Sequence, residues 1–223
     1  MNATRWIRAA AVASLALLLV VLGAALRPAF TPERSTEVPI LNEDETGFVQ
    51  DMLAHHTQAL LLVQHLDPGV DPAVTVLARQ IADAQRTEIG MLAGWLRMAR
   101  ATTTNPEPMA WMHPANPQHR HHSSAAASTT VPAAHAATMP GMATQTDLDA
   151  LAAARGRDAE VLFLALMQRH HYGGIQMAKA ADRSLDGGIV EQAAREMYDT
   201  QTREAGLLGL LLDQRIPTAG THR

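Results

Sequence analysis

A chain of 223 residues, 47% of them hydrophobic, is long enough to bury one sizeable core. A net charge of -4 and only 4% aromatic residues leave neither the basic footprint nor the stacking rings that nucleic-acid binding uses, so nucleic acid is excluded as a partner. There is no cysteine, which rules out disulfides, a lipidated cysteine and thiolate ligands; Met, His and the carboxylates are the side chains left to hold a metal ion.

The N-terminal residues 1–26 read as a signal peptide or a membrane anchor. Arg5 and Arg8 precede an apolar run over residues 9–26, and Gly23-Ala24-Ala25 offers small residues for cleavage. Without cleavage, the same run is nearly long enough to anchor the chain in a bilayer. Either way the residues beyond it are expected outside the cytoplasm, because the arginines stay inside. Residues 27–41, with Pro28, Pro32 and Pro39, read as an extended spacer.

A helical hairpin is expected over residues 42–100. Asn42 with Glu45 makes a capping box, Asp67-Pro68-Gly69 ends the first helix, and Asp71-Pro72 starts the second as N-cap and N1. Residues 101–146 are rich in Pro, Thr, Ser, Ala, His and Met and read as a flexible linker. A second hairpin is expected over residues 147–215: Thr146 caps a short piece, a long helix runs from Glu160 to about Arg183, Asp186-Gly187-Gly188 turns, and a last helix follows. Residues 216–223 form a tail. Two such hairpins bury their apolar stripes by packing together, which predicts an all-α, ferritin-like four-helix bundle.

The two hairpins repeat one pattern. Phe48, Met52, His55 and His56 return as Phe163, Met167, His170 and His171, each 115 positions later. Ile81, Gln85, Glu88 and Leu92 return as Met197, Gln201, Glu204 and Leu208, each 116 positions later. At helical spacing, Glu160, Phe163, Met167, His170, His171, Gly174 and Met177 share one face, and Glu45, Phe48, Met52, His55, His56, Ala59 and Leu62 are its counterpart. A methionine on such a face is ordinary core filler. Four buried histidines are harder to explain that way, because each needs partners inside a small core. Met52, His55, His56, Met167, His170, His171 and Met177 are therefore candidate metal ligands, with Gln85, Glu88, Gln201 and Glu204 as further ligands, as acceptors that orient the rings, or as surface pairs.

These motifs resemble the exported domain of unknown function 305 family, in which an acid, Phe, Met, His-His, a small residue and Met recur on helices. The matches are Glu160, Phe163, Met167, His170, His171, Gly174 and Met177, preceded by Pro140-Gly141-Met142, and in the first half Glu45, Phe48, Met52, His55, His56 and Ala59. The resemblance spans about residues 42–213 and implies a ferritin-like bundle and, for members with an assigned role, extracytoplasmic copper binding. Both acids are Glu where the family usually has Asp, and Leu62 replaces the second thioether of the first half.

The leading reading is an exported binding protein that sequesters or delivers copper, as Cu(I), Cu(II) or both. Thioethers select Cu(I) and imidazoles also accept Cu(II). The linker supports this with Met109, Met112, His113, His119, His121, His122, His135, Met139 and Met142. A di-metal oxidase or ferroxidase is the alternative from another class, although its Glu-x-x-His pattern is missing; a metal-free envelope module with a pH-sensitive core is the third. Anchoring through residues 9–26 and self-association are both compatible with the sequence. The sequence further predicts a tighter Cu(I) site around Met167, His170 and Met177 than around Met52 and His55, and binding that weakens as pH falls through about 6.5.

Overall fold

The computed structural model describes residues 3–30, 39–112 and 139–216. The chain divides into two units, 1–39 and 40–223. The first holds one helix, α1 (Ala3–Phe30), whose stretch Trp6–Gly23 has a mean hydropathy of 2.1 and is long and apolar enough to cross a membrane. Helix thus continues through residues 27–30, which the composition assigned to the spacer.

The second unit is all helical among its described residues: α2 (Glu43–His65), α3 (Pro72–Met98), α4 (Gln145–Ala153), α5 (Gly156–Ser184) and α6 (Gly188–Asp213). The start of α2 follows its sequence signal, since Glu45 N–H donates to Asn42 Oδ1 and Asn42 N–H donates to Glu45 Oε2, both at 2.8 Å. Asp71 likewise caps α3, with Pro72 at its first position. α4 begins earlier than the composition suggests. Thr144, not Thr146, is its cap, because Asp147 stands three residues on and completes a capping box.

α5 begins at Gly156, four residues before Glu160. Gly156 takes a positive φ of 52° and its N–H donates to Asp67 Oδ2 at 2.8 Å, tying the start of α5 to the turn after α2. Glu160 belongs to this end of the bundle. It accepts Asp71 N–H at 2.8 Å and Arg215 Nε–H at 2.7 Å, so it joins the start of α3 to the segment after α6 instead of facing His170, from which ten residues of helix separate it by ~15 Å. Gly188, at the start of α6, lies beside Glu45 at the start of α2. α2 and α5 are therefore antiparallel, each start lying beside the other's end.

That direction sorts the core into two apolar clusters. One gathers Phe48, Met52, Leu92, Leu96, Met177 and Met197; the other gathers Leu62, Leu77, Ile81, Leu151, Phe163, Met167 and Leu208. Met52 therefore shares a cluster with Met177, and Met167 shares one with Leu62. The pairing is crosswise between the halves, and the expectation that Met167 and Met177 serve one ion does not survive it. Ten residues along a helix is ~15 Å, too far for two ligands of one ion.

Residues 101–112 are built into the fold, unlike the flexible linker expected there. Asp51, buried in mid-α2, accepts Asn105 Nδ2–H at 3.0 Å, Met109 N–H at 2.7 Å and Trp111 Nε1–H at 2.8 Å. Trp111 also meets Phe48 edge-on at a 5.2 Å centroid distance. Burial pushes the Asp51 carboxyl above its usual range, and the three donors oppose that shift. The linker residues 113–138, with His113, His119, His121, His122 and His135, lie outside the described residues.

Candidate functional site

Between the two clusters lies a polar layer made by the histidine doublets. Repeat register brings His55 of α2 and His170 of α5 face to face, their ring centroids 3.9 Å apart and their planes tilted by 34°. His56 and His171 flank them at centroid distances of 6.3 and 6.4 Å, giving a row of four rings across the bundle. All four are buried.

Hydrogen bonds fix which nitrogen of each ring carries hydrogen. His55 Nε2 lies 3.2 Å from the Pro140 carbonyl and His170 Nε2 lies 3.1 Å from the His55 carbonyl. A carbonyl can only accept, so both Nε2 atoms donate and each Nδ1 keeps its lone pair. Burial, reinforced by the neighbouring histidines, lowers the His55 pKa to about 3 and holds His170 well below the ordinary imidazole value. Both rings are neutral at physiological pH, the form that binds metal. Protonation of His55 is deferred to about pH 3, well below the pH 6.5 of an unperturbed imidazole, because charge is so poorly solvated there.

The outer pair is held by the carboxylates of α3 and α6. His56 Nε2 meets Glu88 Oε2 at 2.5 Å, and His171 Nε2 meets Glu204 Oε2 at 2.8 Å. Here the repeat is imperfect. His171 Nδ1 also donates to the Met167 carbonyl at 3.0 Å, engaging both its nitrogens, whereas His56 Nδ1 has no partner. Glu88 and Glu204 thus each orient a different ring of the layer.

All the partnerless buried side-chain polar atoms found among the described residues belong to these helix stripes: Nδ1 of His55, His56 and His170, Oε1 of Gln85, and both amide atoms of Gln201. Each such atom costs about 1–3 kcal/mol when unsatisfied. A bound cation could satisfy the three imidazole lone pairs among them, but not Gln201 Nε2, which is a donor. Among the described residues no three His, Asp or Glu side chains converge as a metal cluster. Met52, Met167 and Met177 are fully buried on the same helix faces, with Met52 and Met177 toward one side and Met167 toward the other.

A tight loop before α4 completes the layer. Gly141 has φ 77° and packs on the Arg169 carbonyl, and a Cβ at Gly173 would meet the Pro140 oxygen at 1.8 Å. Only glycine at 173 lets Pro140 reach His55. The equivalent position in the first half is Gln58, whose amide grips the same loop through Ala143, accepting its N–H at 2.7 Å and donating to its carbonyl at 2.9 Å. Neighbouring Gly174 makes room for Gln201, since its Cβ would meet Gln201 Oε1 at 2.1 Å. Gln58 and Asp51 escape a sequence reading because their partners lie outside the long helices, and Trp111 because it lies there itself. A polar side chain in the midst of an apolar helical run, as at Asp51, is the one signal that marks such a residue.

Comparisons with known proteins agree with this architecture. The model of the family "Domain of unknown function (DUF305)" matches residues 45–212. A DUF305 protein of Streptomyces coelicolor described as secreted has a solved structure similar to this one, with 31% identity, a TM-score of 0.64, and coverage of 81% of this chain and 97% of its own. A DUF305 fragment from Deinococcus radiodurans is similar with 27% identity, a TM-score of 0.59, and coverage of 78% and 97%. No curated protein matches the chain. With a doubled histidine motif, helical hairpins in matching register and a family model covering most of its length, the chain belongs to the DUF305 family.

Proposed function

We propose that this chain is an extracytoplasmic copper-binding protein, in which the free Nδ1 atoms of His55 and His170 would hold Cu(I) with thioether help from Met52 and Met177. The reading rests chiefly on the two facing rings, whose Nδ1 lone pairs are buried, neutral and without a partner. Neutral imidazole and thioether together favour Cu(I), which tolerates low coordination and soft donors, over metals that need several carboxylates. His56 and His171, oriented by Glu88 and Glu204, flank the site, and His56 keeps a free Nδ1 toward which Cu(II) could be drawn. The apolar helix α1 and the secreted description of the Streptomyces coelicolor relative support export.

Binding, not catalysis, is the role these residues fit. A ferroxidase needs carboxylates that bridge two metals, and here the two glutamates serve different rings. Release or delivery of the ion would proceed through ligand exchange at the thioethers.

The test is anaerobic competition for Cu(I) between the exported chain and a chromogenic chelator, compared with His170→Leu and with copper-free stability. Tight binding that His170→Leu weakens by at least ~100-fold supports the reading, because even residues outside the ligand shell change affinity by 10–100-fold. Binding that His170→Leu leaves unchanged would contradict it.

A further inference from the structure

Each end of the bundle is crossed by the stretch of chain that leaves one of the hairpins, and the two stretches are fastened by different chemistry. After α6, Arg215 donates to Glu160 Oε2 at 2.7 Å and lies 3.4 Å from Asp71 Oδ1, so both sides of the contact are charged. After α3, residues 102–112 fold back along the start of α2, where Gln50 Nε2–H donates to the Thr102 carbonyl at 2.7 Å. Here a single partner is charged: Asn105, Met109 and Trp111 bring three neutral donors to one oxygen, Asp51 Oδ2.

This strap is built to leave without unfolding the helices beneath it. Its regular structure is one short turn, Ala110–Met112, so little helix is lost when it moves. Met109 holds φ at 68°, a left-handed conformation whose strain is relaxed on release. The buried Asp51 carboxylate regains water once the strap departs, which offsets part of the loss of its three hydrogen bonds. Against these, Trp111 holds the strap down. Its ring meets Phe48 edge-on and sits so close to Gly47 that a Cβ there would meet Trp111 Cδ1 at 3.0 Å.

The turn Ala110–Met112 packs on both α2 and α5. These are the helices that carry Met52 and His55 on one side and His170 and Met177 on the other, and all four side chains are buried. We infer that residues 105–112 are a latch over the α2–α5 seam, closed by the Asp51 carboxylate and the Trp111 ring, whose local opening sets the rate at which a soft ion enters or leaves the core. The inference rests on the proposed function for the ion, but the opening itself does not. Because the latch is closed with and without the ion, loosening it speeds entry and release alike and leaves equilibrium affinity unchanged.

The test measures hydrogen exchange of the Met109 amide and the Trp111 indole N–H in the full exported chain, together with the rate at which bound Cu(I) passes to excess chromogenic chelator. In the unaltered chain both hydrogens should be less protected than the core amides of α2 and α5, as local opening requires. Asp51→Asn replaces charge-assisted bonds by neutral ones of about half the strength, and should speed both their exchange and Cu(I) release by at least ~10-fold at unchanged affinity. Asn105→Ala removes one donor outside the apolar core, so it should act in the same direction more weakly, and it carries the test if Asp51→Asn does not fold. Arg215→Gln loosens the opposite end and should leave Cu(I) release as it is. Protection of the two hydrogens equal to that of the core amides would overturn the latch. Tight Cu(I) binding with the same release rate in every variant would also overturn it, and would leave the proposed function standing. If the chain binds no Cu(I), the proposed function and the gating of ions fall together, while low protection of the two hydrogens would still establish the opening.

Discussion

The two ends of this bundle come from the same duplicated hairpin and differ in what they place beside the histidines. One end offers Met52 and Met177 with further methionines behind them, and the other offers Met167 against Leu62. Because α2 and α5 run antiparallel, each end draws on both halves of the repeat. Duplication therefore gives a nearly symmetric layer of imidazoles, while the soft donors that would complete a Cu(I) site are collected on one side of it. The lesson is that the unit of packing is an end of the bundle and not a half of the sequence.

The largest expected effect comes from breaking the layer itself. His170→Leu removes a proposed Cu(I) ligand and should weaken binding by at least ~100-fold. Its effect on the copper-free fold should be small or even stabilising, since it replaces an imidazole whose Nδ1 is buried without a partner. Paired chelator competition and urea unfolding check both halves of this statement. A ring kept for structure alone would give the opposite pattern, with lost stability and unchanged affinity.

Acid sharpens the same point without mutation. His55 and His170 have folded-state pKa values below that of the unfolded chain, so below about pH 6.5 the unfolded state binds protons that the native state refuses. Stability of the copper-free protein should accordingly be flat with respect to these rings above that pH and fall on acidification toward about pH 3, by ~1.4 kcal/mol per pH unit for each ring. Urea unfolding between pH 7 and 4 measures the slope. A flat profile would mean that the rings are more readily protonated in place than their burial indicates.

Orientation of the outer rings is worth less. Glu88→Gln and Glu204→Gln leave the ligands intact but weaken the bonds that hold His56 and His171, and each should lower metal affinity by ~10-fold or somewhat more. Glu88→Gln should have the larger effect, because His171 retains its second bond to the Met167 carbonyl and His56 has no second bond. Equal effects would remove that distinction between the sides.

Much of this was legible in the sequence. The caps at Asn42 and Asp71, the repeat register and the helical stripes place four histidines in one interior, as the structure has them. What one-dimensional periodicity could not supply is distance along the helix axis. Met167 and Met177 share a face yet belong to different ends, and Glu160 shares that face yet pairs with Arg215 beyond the end of α6. Loop partners were equally hidden. Nothing in the neighbourhood of His55 in sequence points to Pro140, and the glycine that permits this contact, Gly173, reads as a helix-weakening residue until its Cβ position is compared with the Pro140 oxygen.

Exchanging the side chains at the two ends tests the comparison at its finest grain. Met177→Leu should reduce Cu(I) affinity by ~10-fold, equivalent to 1.4 kcal/mol, whereas Met167→Leu should change it by less, because only Met177 shares its cluster with Met52. Leu62→Met gives the leucine end a pair of thioethers and should narrow the difference between these two variants. Volume-conserving exchanges of this kind cost under about 1.5 kcal/mol of stability, so affinity can be read without unfolding.

The most direct measurement of the central claim is X-ray absorption at the copper edge of the exported chain loaded with Cu(I). The account predicts a mixed shell of imidazole nitrogen and thioether sulfur, with the nitrogen contribution lost in His170→Leu. A shell of sulfur alone in the unaltered chain, or of oxygen and nitrogen without sulfur, would contradict it.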